Sequence, residues 1–252
     1  MDALATKGVW HHSNVEQYIF QIKEIAGYAK DLINHPKHAH LSERFNYDVI
    51  LFSDLILISL QSKKEKEQER VLPYIVSLSI IISDILAYSF VRGVFFRGAI
   101  SQGAYLIENN VLVGPAVDDA AGYYEKADWL GVISTPTASM AIDSLIMTNN
   151  DLQGFFLRHT IPMRDGDKCN LYAIDWIKPL YVYAKELKIL SEHNVPIKAY
   201  ILQRLTKKPI PNTAQMKYKN TEDFIDMCIC EIRNHEEDED LHKYLITDIQ
   251  NN

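Results

Sequence analysis

The sequence predicts a mixed α/β or α+β domain, a sheet covered by helices, and three observations predict it. Residues 48–60 form two β-branched apolar runs around a central Ser53-Asp54, and runs that are apolar on both faces suit strands in the middle of a covered sheet. Residues 15–34 instead repeat Tyr18, Ile22, Ile25, Ala29 and Leu32 at helical spacing. Strand-like and helix-like segments then alternate along the chain, with no internal repeat and no interdomain linker. The chain has 252 residues, 47% of them apolar and 23% charged. Such a composition builds a core, and it excludes disorder, collagen and a low-complexity scaffold.

The elements follow in order. Ser13-Asn14 supplies an N-cap for the helix over 15–34, which Pro36 and the cluster His35, His38, His40 end. Two buried strands over 48–60 meet at the short polar turn. Residues 63–70 are a charge run, read as a solvated loop and helix start. A long apolar helix spans 71–91. It carries Pro73, Asp84 and several serines, and a charge at mid-bilayer costs about 2.5 to 3.5 kcal/mol, so it reads as a buried helix, not a membrane span. A strand over 94–102, a break at Gly103 and a second strand over 105–113 come next. Gly114-Pro115 starts a helix that runs to Lys126, with proline in the first turn, where no hydrogen bond is lost. A short strand over 132–134 closes at Pro136, and a helix covers 138–149. Strands over 155–162 and 170–176 flank Arg164-Asp165-Gly166-Asp167, and helices over 180–192 and 221–234 complete the reading.

The net charge is −7, and acidic residues gather at 235–240. That balance argues against a phosphate-backbone partner such as nucleic acid, and leaves open a small nucleotide held through metals. Three cysteines cannot close a disulfide framework, and the N-terminus has no basic-then-apolar signal pattern, so the expectation is a soluble protein of a reducing, cytoplasmic compartment without a membrane partner. His11-His12 and His35, His38, His40 have no cysteine or carboxylate at ligand spacing and read as solvated histidines. On a helix Cys228 and Cys230 point about 200° apart, which suits small packed side chains. The sequence contains no phosphate-loop, nucleophile-elbow or zinc-protease pattern.

One set of short motifs points further. Asp2-Ala3-Leu4-Ala5-Thr6-Lys7-Gly8, the hairpin Phe52-Ser53-Asp54, and Arg97-Gly98-Ala99-Ile100-Ser101-Gln102-Gly103 followed by Gly114-Pro115-Ala116 occur in that order. In this the chain resembles the class III nucleotidyl cyclase homology domain, and more closely the bacterial branch that includes the pyrimidine cyclases of the Pycsar antiphage system. The resemblance spans about residues 2–136. It implies a ferredoxin-like, palm-type mixed sheet covered by helices, with a cyclase-homology core over 1–136 and a C-terminal extension of the same domain over 137–252. It also implies a cytoplasmic homodimer that converts a nucleoside triphosphate, UTP and CTP among the candidates, to a 3′,5′-cyclic nucleotide and pyrophosphate in antiphage signalling.

Cyclisation drives a ribose 3′-hydroxyl onto the α-phosphate of its own nucleotide, and two divalent ions can clamp the attacking and leaving oxygens. Mg²⁺ or Mn²⁺ takes carboxylate oxygens, and by resemblance Asp2 and Asp54 are the catalytic pair that holds them. The helix over 15–34 is expected to cross over and return the chain beside the first strand. The turn after Asp2, comprising Ala3, Leu4, Ala5 and Thr6, is expected to offer backbone N–H groups to the triphosphate, with Lys7 paired to a phosphate oxygen. Relatives have glycine where Ala5 stands. Arg97 lies among apolar neighbours and, if buried, must find a carboxylate or a phosphate, so it is expected in a structural ion pair or in contact with the nucleotide.

Two features depart from the family pattern. Where many members carry an asparagine and, four residues on, an arginine, this chain has Asp118 and Gly122, which offer a phosphate nothing. In the family four to six apolar residues also precede the first metal aspartate, whereas Met1 alone precedes Asp2 here, so most of the central strand is expected to be missing and Asp2 loosely held. These departures support an alternative: a catalytically degenerate module that binds a nucleotide or a protein partner.

Overall fold

A computed structural model of the chain describes residues 1–3, 15–35, 45–63, 72–109, 111–148, 156–186, 196–207 and 215–236. The elements are β1 (Asp2–Ala3), α1 (Val15–Asn34), β2 (Phe45–Phe52), β3 (Leu55–Ser62), α2 (Leu72–Arg92), β4 (Phe96–Ile100), β5 (Leu106–Glu108), β6 (Val111–Val113), α3 (Pro115–Lys126), β7 (Gly131–Ser134), α4 (Pro136–Thr148), β8 (Leu157–Pro162), β9 (Lys168–Ala173), α5 (Ile177–Glu186), α6 (Ile197–Thr206) and α7 (Gln215–Glu236). The α/β class holds. Seven strands form one mixed sheet in the order β2-β3-β1-β4-β7-β9-β8, and β5 and β6 pair separately. All the sheet pairs are antiparallel except β4 with β7.

The first six elements interleave two β-α-β crossovers. β3 lies between β1 and β2, and β1 lies between β3 and β4. The crossover helix α1 therefore returns the chain one place further out than the sequence suggests, and the strand beside β1 is β3. The hydrophobic pattern explains the arrangement. Tyr47, Val49 and Leu51 of β2 stand opposite Leu60, Ile58 and Ile56 of β3, and this face packs into the core. Helix α1 covers it with Ile22, Ile25, Ala26, Ala29 and Ile33, all buried. Each fully buried isoleucine contributes about 1.5 to 3 kcal/mol.

Helix α2 lies beside α1 and supplies Ile81, Ile82, Ile85, Leu86, Ala87 and Phe90 to the same core. Two of its serines bond one turn back, Ser79 Oγ donating to Ile75 O at 2.6 Å and Ser89 Oγ to Leu86 O at 2.8 Å, while Ser83 Oγ donates out of the helix to Asp175 O. The helix ends at Gly93, whose φ is 78°, with Gly93 N–H donating to Phe90 O and Val94 N–H to Ser89 O, a paired cap that turns the chain directly into β4. Residues 75–92 are long and apolar enough to cross a bilayer by length and composition, and half of that window is buried inside the fold.

Beyond residue 136 the chain keeps building the same sheet. β9 pairs with β7, β8 with β9, and α4, α5 and α7 add to one continuous core. Trp129, fully buried, meets Phe224 of α7 edge-on at 4.9 Å and stacks on His159 of β8 at 5.7 Å. Thr221 of α7 accepts the Leu130 N–H at 2.8 Å, and Asn220 donates to Asp128 O at 2.7 Å, so α7 is bonded to the entry of β7. Asp175 caps α5 by accepting from the N–H groups of Ile177 and Lys178 at 2.9 and 3.1 Å. Burial pushes its carboxyl upward, and burial together with Asp175 pushes the adjacent Cys228 thiol well up.

Several boundaries differ from the sequence expectation. The strand expected over 105–113 is a hairpin, β5–β6, because Asn109 adopts a left-handed φ of 49° and reverses the chain. The final strand ends at Ala173, three residues early, where Asp175 begins the cap of α5. Helix α6 falls in a stretch with no expected element, and α7 starts six residues before the expected helix. The charge run over 64–70, the histidines 11, 12, 38 and 40 and the acidic residues 237–240 lie outside the described residues.

Candidate functional site

The β2–β3 hairpin turns at Ser53-Asp54, with Ser53 at φ 56° in the left-handed region. Its last pair is Phe52 opposite Leu55. Leu55 in turn stands opposite Asp2, Asp2 opposite Arg97, and Arg97 opposite Gly131. One transverse row, Phe52, Leu55, Asp2, Arg97 and Gly131, thus crosses five strands. Directly opposed residues share a sheet face, and Arg97 reaches α3, so this row belongs to the face that α3 covers. Leu51 and Ile56, one step along the same strands, pack in the core on the other face.

The row brings the two predicted aspartates together through the backbone. Asp2 and Asp54 are 52 positions apart in sequence, yet Asp2 pairs with the residue that follows Asp54. Neighbouring strands lie about 4.8 Å apart. β1 is held from both sides: the Met1 ammonium donates to Ile56 O at 2.7 Å, Ile56 N–H donates back to Met1 O at 2.8 Å, and Asp2 and Ala3 pair with Arg97 and Phe96. The backbone of Asp2 is therefore paired on both sides, in a strand of two residues. Gly98 makes room for this packing, since a Cβ there would come within 3.1 Å of Met1 Cα. Asp54 is half-buried at the hairpin tip.

Arg97 is 9% exposed, and its Nη1 donates to Glu125 O at 3.2 Å in the last turn of α3. Its guanidinium carbon lies 5.4 Å from the centre of the Tyr124 ring. A cation suits this place, because the terminal carbonyls of a helix lack intrahelical donors and carry partial negative charge. These contacts, a helix-end carbonyl and a ring, differ from the carboxylate or phosphate that the sequence leads one to expect for Arg97.

Helix α3 is fixed at its other end by the segment after β4. Gly114 has φ 138°, and a Cβ there would fall 2.7 Å from Ala104 O, so only glycine fits. Ala116 N–H donates to Ala104 O at 3.3 Å, and Ser101 Oγ donates to Ala116 O. Asp118 is exposed in the first turn, where a carboxylate stabilises the helix N-terminus. Gly122 is exposed with open space around it. Asp118 therefore has a helix-stabilising role, and between Pro115 and Glu125 the helix presents no cation.

Of the expected phosphate-binding turn, Ala3 pairs with Phe96, while Leu4, Ala5, Thr6 and Lys7 lie outside the described residues. Among the described residues no three histidine, cysteine, aspartate or glutamate side chains gather into a metal-binding group. The exposure of Phe52 was not expected from the sequence: it is 73% exposed, although it sits within an apolar run that reads as buried, and its position next to the polar turn was the available signal. Tyr105 also adjoins this side of the sheet. Burial pushes its phenol upward, with Ser59 and Asp48 close by. No family model, curated protein or solved structure matches this chain.

Proposed function

We propose that this chain is a nucleotidyl cyclase-like protein of the class III type, which binds a nucleoside triphosphate through divalent ions and converts it to a 3′,5′-cyclic nucleotide and pyrophosphate. The observation that carries the reading is the pairing of Asp2 with Leu55, which sets the positions of Asp2 and Asp54 side by side. The interleaved β-α-β crossovers and the order β2-β3-β1-β4 support it too, since a ferredoxin-like core has that connectivity. Asp2 and Asp54 would hold Mg²⁺ or Mn²⁺, and two carboxylates are the hard oxygen donors such ions take. Ions bound there supply Lewis-acid polarisation of the α-phosphate and lower the pKa of the attacking hydroxyl. The chain's own part is to fix the carboxylates: the hairpin turn holds Asp54, and the exchanged bonds between Met1 and Ile56 hold the backbone of Asp2. UTP and CTP are the first substrates to try, antiphage signalling is the biological setting the reading suggests, and a cytoplasmic homodimer is the expected form.

A second reading has its own observation. Asp118 and Gly122 leave α3 without a cation between Pro115 and Glu125 to stabilise transition-state charge, which favours a degenerate module that binds a nucleotide or a protein partner without turnover. One experiment separates the two. Purified protein with Mn²⁺ is incubated with ATP, GTP, CTP and UTP, and binding and cyclic product are measured in parallel. Product that disappears in Asp54→Asn supports the enzyme. Metal-dependent binding without product supports the module. Equal triphosphate affinity in wild type and Asp54→Asn rejects the metal role in both.

A further inference from the structure

We propose that Phe52 is the platform on which the base of a bound nucleotide stacks. The inference rests on the triphosphate reading of the Asp2–Asp54 site and adds the residue that recognises the nucleoside part.

A single exposed aromatic needs no ligand to explain it. What singles out Phe52 is its exposure combined with its place. At 73% exposure it leaves most of its ring in water, and it sits at the end of the row that contains Asp2, on the sheet face that α3 covers only in part. Two strand spacings separate it from the Asp2 position, about 10 Å, comparable with the span from a base through its ribose to the polyphosphate. Its cross-strand partner Leu55 is half-buried and closes the space between, so the row reads outward as carboxylate position, aliphatic floor and aromatic rim. The hairpin makes the rim rigid. β2 and β3 pair over all eight residues up to the Phe52–Leu55 pair, and Ser53 closes the turn in a left-handed conformation. A ring presented on a fixed hairpin offers a flat surface at little ordering cost, and every base has a π-face to lay on it. Stacking of this kind tolerates any base, so Phe52 provides affinity and leaves base choice to other groups.

The test compares nucleoside triphosphates with inorganic triphosphate, both with Mn²⁺, by calorimetry on wild type, Phe52→Ala and Phe52→Tyr. The expected result is a loss of about 5- to 100-fold in nucleoside triphosphate affinity for Phe52→Ala, of similar size for all four bases. Affinity for inorganic triphosphate and the thermal midpoint stay unchanged, and Phe52→Tyr retains wild-type binding. Undiminished nucleotide affinity in Phe52→Ala overturns the platform and leaves the metal reading standing. An equal loss for inorganic triphosphate, or a loss that tracks a change of oligomeric state in light scattering, assigns Phe52 to site geometry or to contact between copies and also overturns it. Absence of triphosphate binding in the wild type removes both the platform and the reading beneath it.

Discussion

At the β8–β9 end of the sheet, strands and helices are tied to one another by buried rings and side-chain hydrogen bonds; at the β2–β3 end, the hairpin is joined to the rest of the sheet through Met1–Ala3. The first region holds Trp129, His159 and Phe224 in mutual contact and bonds α7 to the backbone at Asp128 and Leu130. The second exposes Phe52 and carries Asp54 and the left-handed Ser53 at its tip. Both ends share one core, and the difference lies at the hairpin tip, where polar and strained groups can stand that contribute little to folding.

Substitutions at the two ends should show this difference. The largest effect belongs to Phe224→Ala, which empties a fully buried ring site against Trp129; urea denaturation should show a loss of about 3 to 5 kcal/mol. Thr221→Val keeps the volume but leaves the Leu130 N–H without its acceptor, and should cost about 1 to 3 kcal/mol in the same assay. Acid should act on this end as well. Burial holds the His159 imidazole below its ordinary value of 6.5, with Asp223 opposing in part. The unfolded chain therefore takes up the proton first, so stability is full above about pH 6.5 and falls as the pH drops from there toward the lowered folded value. Thermal midpoints between pH 5 and 8 should show this step, and His159→Phe should flatten it. Breaking the surface pair Asp143–Arg158 with Asp143→Asn should cost at most about 1 kcal/mol. Ser53→Gly at the near end should change stability least, relieving the left-handed turn by no more than about 1 kcal/mol. A substitution at the hairpin tip, residues 52–54, as costly as Phe224→Ala would erase the distinction.

Much of the fold was legible in the sequence because period and punctuation agreed. The spacing of Ile22, Ile25 and Ala29 gave α1, the paired apolar runs around Ser53-Asp54 gave β2 and β3, and Gly114-Pro115 marked the start of α3. Glu108-Asn109-Asn110 interrupts two apolar triplets and was a readable turn signal, but taking 105–113 as one strand passed over it and missed the β5–β6 hairpin. Helix α6 was readable in principle, since Ile197, Tyr200, Ile201 and Leu205 follow helical spacing after Pro196. The site was harder to see. Periodicity says nothing about strand order, and only the insertion of β3 between β1 and β2 brings Asp2 next to the hairpin turn. Composition gives Arg97 a positive charge but not its acceptor, which lies 28 residues away at the end of α3.

The contact between Arg97 and Glu125 also joins two layers. A helix C-terminus carries roughly half a negative charge and leaves its last carbonyls without donors, and here the end of α3 comes down on the strand next to β1. One guanidinium therefore serves two elements at once: it gives a terminal carbonyl the donor that the helix itself lacks, and it pins the tail of α3 over the middle of the sheet.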